Sequence, residues 1–165
     1  MPTSLEDELI KALDEAHAME KQVELLLQSM IRTTKDPSLV SDMETHLDET
    51  KEHAERLATC LESHGSKPSK VKEMTTMVAG ALKAPLDMAR NEKGMRNARD
   101  GFATEHMEIA SYQMLERVAK KAGDKHTAAV ARQNREEEEA MARSIGAKWN
   151  KIVDLSLEEE GIRTS

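Results

Sequence analysis

The chain has 165 residues, of which 33% are charged and 2% aromatic, and its formal net charge at pH 7 is −7. Lysines and arginines are interspersed with acids instead of forming a basic face, so we expect no nucleic-acid partner. No apolar run is long enough to span a bilayer, and the start of the chain lacks the basic and apolar regions of a signal peptide. A single cysteine, Cys60, leaves no internal disulfide, and the cytoplasm is the expected location.

Methionine is common, with 11 copies, whereas aromatic residues, glycine and proline are scarce. This composition is typical of a helical bundle packed with aliphatic and methionine side chains. The length predicts one domain over residues 1–165, with the bundle at about 4–145 and a short helical tail at 146–165.

The first predicted helix runs from about Ser4, in a capping box with Asp7, to about Arg32. Apolar residues recur along it at steps of three and four, which is the period of one helix face: Leu9, Leu13, Ala16, Val23, Leu27 and Met30. Glu20 falls in the same series. A carboxylate inside such a seam is costly unless it is paired, protonated or bound to a metal, so Glu20 is a candidate ligand.

The second predicted helix begins at Asp36-Pro37 and extends to about His64, before Gly65. Three polar residues lie along one flank of its apolar seam, on adjacent turns: His46, Glu49 and His53. Glu49 and His53 are candidate ligands. We interpret His46 either as a residue that supports the ligands from outside the site or as a surface residue.

Residues 66–94 break into short pieces at Pro68, Gly80, Pro85 and Gly94. We expect short helices at 71–82 and 86–90 in a crossover connection. A long link of this kind makes the second and third bundle helices parallel, whereas tight turns make neighbours antiparallel.

The third predicted helix runs from about Met95 to about Ala122 and carries Glu105 and Glu108 one turn apart. Tyr112 continues the same line. It is either a core ring with a hydrogen-bonded hydroxyl or a residue with a redox or supporting role beside a metal.

The fourth predicted helix begins at Asp124. The helical phase set by Val130, Asn134 and Met141 places Glu137 on the inward face. Glu138, the next residue in a run of four acids, is the alternative. After Gly146, an amphipathic tail is expected to pack on the bundle or on a second subunit.

Acids on the inward face of all four long helices are typical of an all-α, ferritin-like four-helix bundle, in which carboxylates and imidazoles surround two metal ions. The predicted ligands are Glu20, Glu49, His53, Glu105, Glu108 and Glu137. Oxygen ligands with some imidazole and no thiolate favour iron or manganese. The usual Glu-x-x-His pattern is not met, because Glu52 and Ala140 lie three residues after Glu49 and Glu137.

Three stretches resemble the YciE/YciF group of bacterial ferritin-like proteins: HAMEKQ at 17–22, HLDETKEHAERL at 46–57 and EHMEIASY at 105–112. The resemblance covers roughly residues 5–145. It implies a dimanganese or diiron bundle that is often dimeric, is linked to bacterial stress responses and has no firmly assigned reaction.

Two functional hypotheses follow. In the first, two iron or manganese ions per chain react with peroxide or dioxygen during stress. In the second, the protein is a non-catalytic structural or protective binding protein with a weak or vestigial metal site. Iron storage in a hollow shell is a third and less favoured reading.

Overall fold

A computed structural model of the chain describes residues 4–69 and 94–163. Within these ranges the fold is all-α, as predicted, and no strand is present. The helices are α1 (Leu5–Thr33), α2 (Pro37–Ser63), α3 (Gly94–Ala122), α4 (Lys125–Gly146) and α5 (Trp149–Glu159). The short helices predicted at 71–82 and 86–90 lie outside the described residues.

Local signals in the sequence set the helix boundaries. Ser4 and Asp7 form a reciprocal capping box at the start of α1. Asp36 caps α2 by accepting from the backbone N–H groups of Ser38 and Leu39, and Asp124 caps α4 in the same way. These predicted helix starts are confirmed.

The bundle has the connectivity that the long link predicts. His46 of α2 lies beside Glu105 of α3, and His53 lies beside Tyr112, seven residues further along both helices. Both helices therefore run in the same direction, which confirms the parallel arrangement. The short connections between α1 and α2 and between α3 and α4 make those pairs antiparallel.

Side chains form three successive layers along the bundle axis. One end is an apolar cluster built largely from leucine and alanine: Leu9, Leu13, Leu57, Leu61, Leu115, Ala119, Ala128 and Ala131. A buried polar layer follows in the middle. At the opposite end lies a cavity of about 450 Å³, which we call the apolar cavity; its walls include Leu27, Met30, Leu39, Met43, Met141 and Ile145.

The tail helix α5 packs on this second end of the bundle. Ile152 is buried, and the Trp149 ring stacks edge-on against Phe102 of α3 with 5.3 Å between ring centroids. Lys151 donates to the Asp36 carboxylate at 2.8 Å. The tail therefore contacts its own bundle, which was one of the two predicted packings. None of the helices described has the length and apolarity needed to cross a membrane.

Candidate metal centre

Among the described residues, the polar layer contains six glutamate and histidine side chains that are no more than 3% exposed: Glu20, His46, His53, Glu105, Glu108 and Glu138. Each bundle helix contributes at least one of them. Charged side chains are rarely buried in this way without a partner, so a cluster of four carboxyl groups needs a compensating charge or protons.

These side chains form two overlapping groups. One ligand atom from each of His46, Glu105, Glu108 and Glu138 lies within 4.8 Å of the others, and we call this group the His46 half. Glu20, His53 and Glu138 meet the same distance, and we call them the His53 half. Glu138 belongs to both halves, so its carboxyl group connects them.

Hydrogen bonding leaves much of this layer unsatisfied. Within residues 4–69 and 94–163, no hydrogen-bond partner is present for both carboxyl oxygens of Glu108 and Glu138, one oxygen each of Glu20 and Glu105, and Nδ1 of His53. His53 Nδ1 comes within 2.8 Å of Glu138 Oε1, but without the angles of a hydrogen bond. Buried polar atoms are normally paired, so this many unpaired oxygen and nitrogen atoms facing one another fit a site for cations.

The charge of the cluster also fits a site for cations. Four ionised carboxylates carry four negative charges, which two divalent cations would neutralise if both imidazoles were neutral. Without cations, burial opposes ionisation and raises the pKa of Glu105 and of Glu138 to about 7. Burial and the neighbouring acids also raise the pKa of Glu108 well above its ordinary value.

His53 is oriented by a carboxylate outside the cluster. Its Nε2 lies 2.7 Å from Oε2 of Glu137, which also accepts from Arg56. Partial burial opposes ionisation of Glu137, but the hydrogen bonds from Arg56, Gln133 and His53 outweigh it and lower its pKa. An ionised Glu137 only accepts, so His53 Nε2 donates. When the imidazole is neutral, its unprotonated nitrogen is therefore Nδ1, which faces the cluster.

The acidic cluster favours the protonated form of His53. Burial disfavours its charged form, but the facing carboxyl groups of Glu138 and Glu20 outweigh burial and raise the pKa of His53 to about 10. The imidazole therefore carries a positive charge at neutral pH when no cation is bound. A cation that binds at Nδ1 must displace this proton.

Tyr112 joins the layer from α3. Its ring is fully buried, its hydroxyl donates to Glu20 Oε1, and it accepts from Nδ2 of Asn134 at 3.0 Å. The hydroxyl is thus bonded directly to a candidate ligand, and burial raises the pKa of Tyr112 well above its ordinary value, so it stays protonated.

The inward acid of α4 is Glu138, and the prediction that Glu137 faces the core was wrong. Glu137 is 30% exposed and pairs with Arg56, whereas Glu138 is fully buried. Of the three residues that set the predicted phase, Asn134 is buried, as Glu138 one turn later is, but Val130 and Met141 are only half-buried. The helix instead packs through small residues that include Ala131 and Ala142, and these turn Glu138 inward.

On α2, the residue that is buried in the polar layer is His46 and not the predicted ligand Glu49. Glu49, a predicted ligand, is 41% exposed and lies 3.6 Å from Nδ1 of the buried His46. His46, which was not predicted as a ligand, faces Glu105 at 3.1 Å through Nε2. The spacing of His46 and His53, seven residues or two turns, was the signal that both point the same way. Glu20, His53, Glu105 and Glu108 lie together in the layer, as expected.

The cluster contains the same numbers of glutamates and histidines as a ferritin-like site, but they are distributed differently among the four helices. A Glu from each of two helices and Glu-x-x-His from each of the other two amount to four glutamates and two histidines. The same total occurs here, with both histidines on α2 and two glutamates on α3.

The apolar cavity ends at the His46 half. His46, Glu105 and Thr104 are among its lining residues, together with the aliphatic walls. Glu20 and His53 do not line it. One half of the candidate centre is therefore next to a space of ligand size, and the other is closed by protein.

Comparison with known proteins places the chain in a family. A family model described as a domain of unknown function, DUF892, matches residues 4–158. The chain belongs to this family. It is also 28% identical over 143 residues to Protein YciF of Escherichia coli, covering 83% of this chain and 85% of that protein. The resemblance to the YciE/YciF group is thereby confirmed.

Solved structures give the same result. A protein from Xanthomonas campestris is 28% identical, with a TM-score of 0.81 over 96% of this chain and all of that one. The E. coli stress protein YciF is 26% identical in its crystal structure, with a TM-score of 0.76 over 93% of this chain and 99% of that one. A DPS protein from Vibrio cholerae, described as a member of a superfamily of ferritin-like diiron-carboxylate proteins, has a TM-score of 0.70 at 15% identity, over 89% of this chain and 92% of that one. This last similarity shows the ferritin-like fold alone.

Proposed function

We propose that this DUF892 protein binds two divalent iron or manganese ions in its polar layer and that the loaded centre reacts with peroxide or dioxygen. The observation that carries the proposal is Glu138, which is shared by both halves of the cluster and whose two oxygens are buried and unpaired among the described residues. His46, Glu105 and Glu108 would hold one ion, and Glu20 and His53 the other. The relationship to a protein described as a stress protein supports a role in the response to stress.

The ions would supply one-electron oxidation and reduction, which the carboxyl and imidazole groups of the site do not supply themselves. The protein contributes position and protons. Glu137 keeps the unprotonated Nδ1 of His53 directed into the layer, and the Tyr112 hydroxyl fixes the orientation of the Glu20 carboxylate. The acids with raised pKa can release protons when cations bind and take them up again when cations leave.

The apolar cavity supports a reaction at the His46 half. A small neutral molecule such as hydrogen peroxide or dioxygen can enter an apolar space without the loss of hydration that an ion would suffer. Since the cavity reaches Glu105 and His46, this half is the expected point of contact with an oxidant.

Metal content per chain is the first test. Protein prepared with iron and manganese available, and without chelator, should contain close to two ions by plasma mass spectrometry. Iron(II)-loaded protein should then consume peroxide faster than buffer with the same iron. Folded, helical protein without metal would overturn the proposal.

A non-catalytic structural role is the second candidate, and one observation favours it. With pKa values of about 7 for Glu105 and Glu138, the layer can persist partly protonated in a folded bundle without metal. Protein that loads two ions yet consumes no peroxide above the control would favour this role.

We also propose that the chain forms a homodimer in the cytoplasm and has no nucleic-acid partner, as the sequence led us to expect. Light scattering should give about twice the chain mass of 18.4 kDa. A shell-sized particle would instead support iron storage.

A further inference from the structure

Arg56 lies on α2, one turn beyond His53, and its guanidinium group connects two chains of hydrogen bonds that lead to the candidate centre. The shorter chain passes through Glu137. Arg56 Nη1 donates to Glu137 Oε2 at 2.6 Å, and the same oxygen lies 2.7 Å from His53 Nε2. Arg56 therefore fixes the carboxylate that sets the orientation of His53.

The longer chain leads to Glu20. Arg56 Nη1 also donates to Asn134 Oδ1 at 2.9 Å, and Asn134 Nδ2 donates to the Tyr112 hydroxyl at 3.0 Å. The hydroxyl in turn donates to Glu20 Oε1. Because the guanidinium group only donates, it fixes the Asn134 amide with its oxygen outward, and every following bond then has one possible direction.

Among the described residues, the His46 half has no equivalent support. Glu49, a carboxylate outside the cluster, lies 3.6 Å from His46 Nδ1 and is 41% exposed, and Nδ1 makes no hydrogen bond within residues 4–69 and 94–163. His46 and Glu105 also line the apolar cavity. The two halves therefore differ in their surroundings, and the His46 half also offers one carboxylate more than the His53 half.

We propose that Arg56 is a positioning residue for Glu20 and His53, and that the His53 half consequently holds its cation more tightly than the His46 half. The inference rests on the proposed metal site. Ligands that are already oriented lose less conformational entropy when a cation binds, and loss of such outer partners typically lowers metal affinity about 10–100-fold.

Whether Mn²⁺ binding becomes weaker or stronger when Arg56 is replaced distinguishes a positioning role from a purely electrostatic one. Arg56 carries a positive charge close to the centre, so by Coulomb's law alone its removal would strengthen cation binding. The positioning role predicts the opposite. Arg56→Gln should weaken Mn²⁺ binding at the His53 half about 10–100-fold and leave the other step unchanged.

The experiment is calorimetric titration of the metal-free full chain with Mn²⁺. Wild type should show two steps, of which His53→Ala removes the tighter and His46→Ala the weaker. Asn134→Ala, which breaks only the chain to Glu20, should weaken the tighter step less than Arg56→Gln does. Arg117→Gln, an exposed arginine bonded to its own helix, is the charge-matched control.

Three results would overturn the inference: two indistinguishable steps in wild type, a tighter step that disappears in His46→Ala, or affinity that is unchanged or increased in Arg56→Gln. If Arg56→Gln does not fold, as judged by circular dichroism, the charge-neutral variant Asn134→Ala decides by the same criteria. Absence of any Mn²⁺ binding by wild type would instead overturn the proposed function itself.

Discussion

The imidazole of His46 on α2 lies 3.1 Å from the carboxyl group of Glu105 on α3, across a diagonal of the bundle. Both groups are almost completely buried, and both line the apolar cavity. This pair therefore marks the place where the candidate metal centre is accessible to a small molecule.

Replacing His46 should remove one ion and leave the other. His46→Leu takes away the only imidazole of the His46 half, whereas Glu20, His53 and Glu138 remain. We expect the metal content to fall from about two ions per chain to about one. His126→Ala, at an exposed histidine, is the control and should keep both ions. Full metal content in His46→Leu would show that His46 is not a ligand.

The neighbouring acids Glu137 and Glu138 should behave differently on substitution. Glu138→Gln removes a carboxylate shared by both halves, so we expect a loss of more than one ion per chain. Glu137→Gln removes only the partner of His53 and Arg56, so binding should weaken about 10–100-fold while two ions still bind at saturating metal. Metal content measured at low and at saturating Mn²⁺ distinguishes the two. Equal behaviour of both variants would contradict the assignment.

Stability of the metal-free protein should fall as the pH rises. The pKa of Glu105 and of Glu138 rises on folding from 4.5 to about 7, and that of His53 from 6.5 to about 10. Between about pH 4.5 and 10 the folded state thus binds more protons than the unfolded state, so the free energy of unfolding decreases with increasing pH. Urea unfolding at pH 5.5 and 8.5 measures the change.

Two comparisons assign this pH dependence to the polar layer. The double variant Glu105→Gln, Glu138→Gln should show a shallower decrease, because two of the titrating groups are absent. Saturating Mn²⁺ should reverse the trend, since cations bind the deprotonated ligands. Metal-free wild type that gains stability from pH 5.5 to 8.5 would contradict the pKa directions.

Narrowing the apolar cavity should slow the oxidant without removing metal. Gly101 lies on the cavity wall, and among the described residues a Cβ atom placed there would meet only Met30 Cε, at 4.0 Å. In Gly101→Leu the Cβ atom fits and the rest of the side chain would extend into the cavity, so this variant should reduce the rate at which peroxide oxidises the iron(II)-loaded protein, with metal content unchanged. Gly101→Ala is the matched control and should react at nearly the wild-type rate. An unaffected rate in Gly101→Leu would place oxidant entry elsewhere.

The helices and most of the polar layer could be predicted from sequence because their signals are local. Ser4, Asp36 and Asp124 hold the backbone N–H groups that begin three of the helices, and Glu20 stands alone in an apolar series. Such signals depend on residues within one or two turns, and these are visible in the chain itself.

The choice between adjacent residues could not be made in this way. Glu137 and Glu138 differ in burial because α4 packs through alanines, and alanine contributes little to a hydrophobic pattern. His46 and Glu49 differ because Glu105, 59 residues away along the chain, lies opposite the histidine. Long-range packing therefore decided which of two neighbours is buried.

Both imidazoles of the cluster come from one helix, seven residues apart. At 1.5 Å of rise per residue, a slide or rotation of α2 by a single residue would move both away from their partners together. A cation bound by either histidine therefore resists the same displacement of the entire helix. Amide hydrogens along α2 should exchange more slowly once metal is bound, even at turns remote from the site. The exchange rates of this helix would therefore report whether the site is loaded.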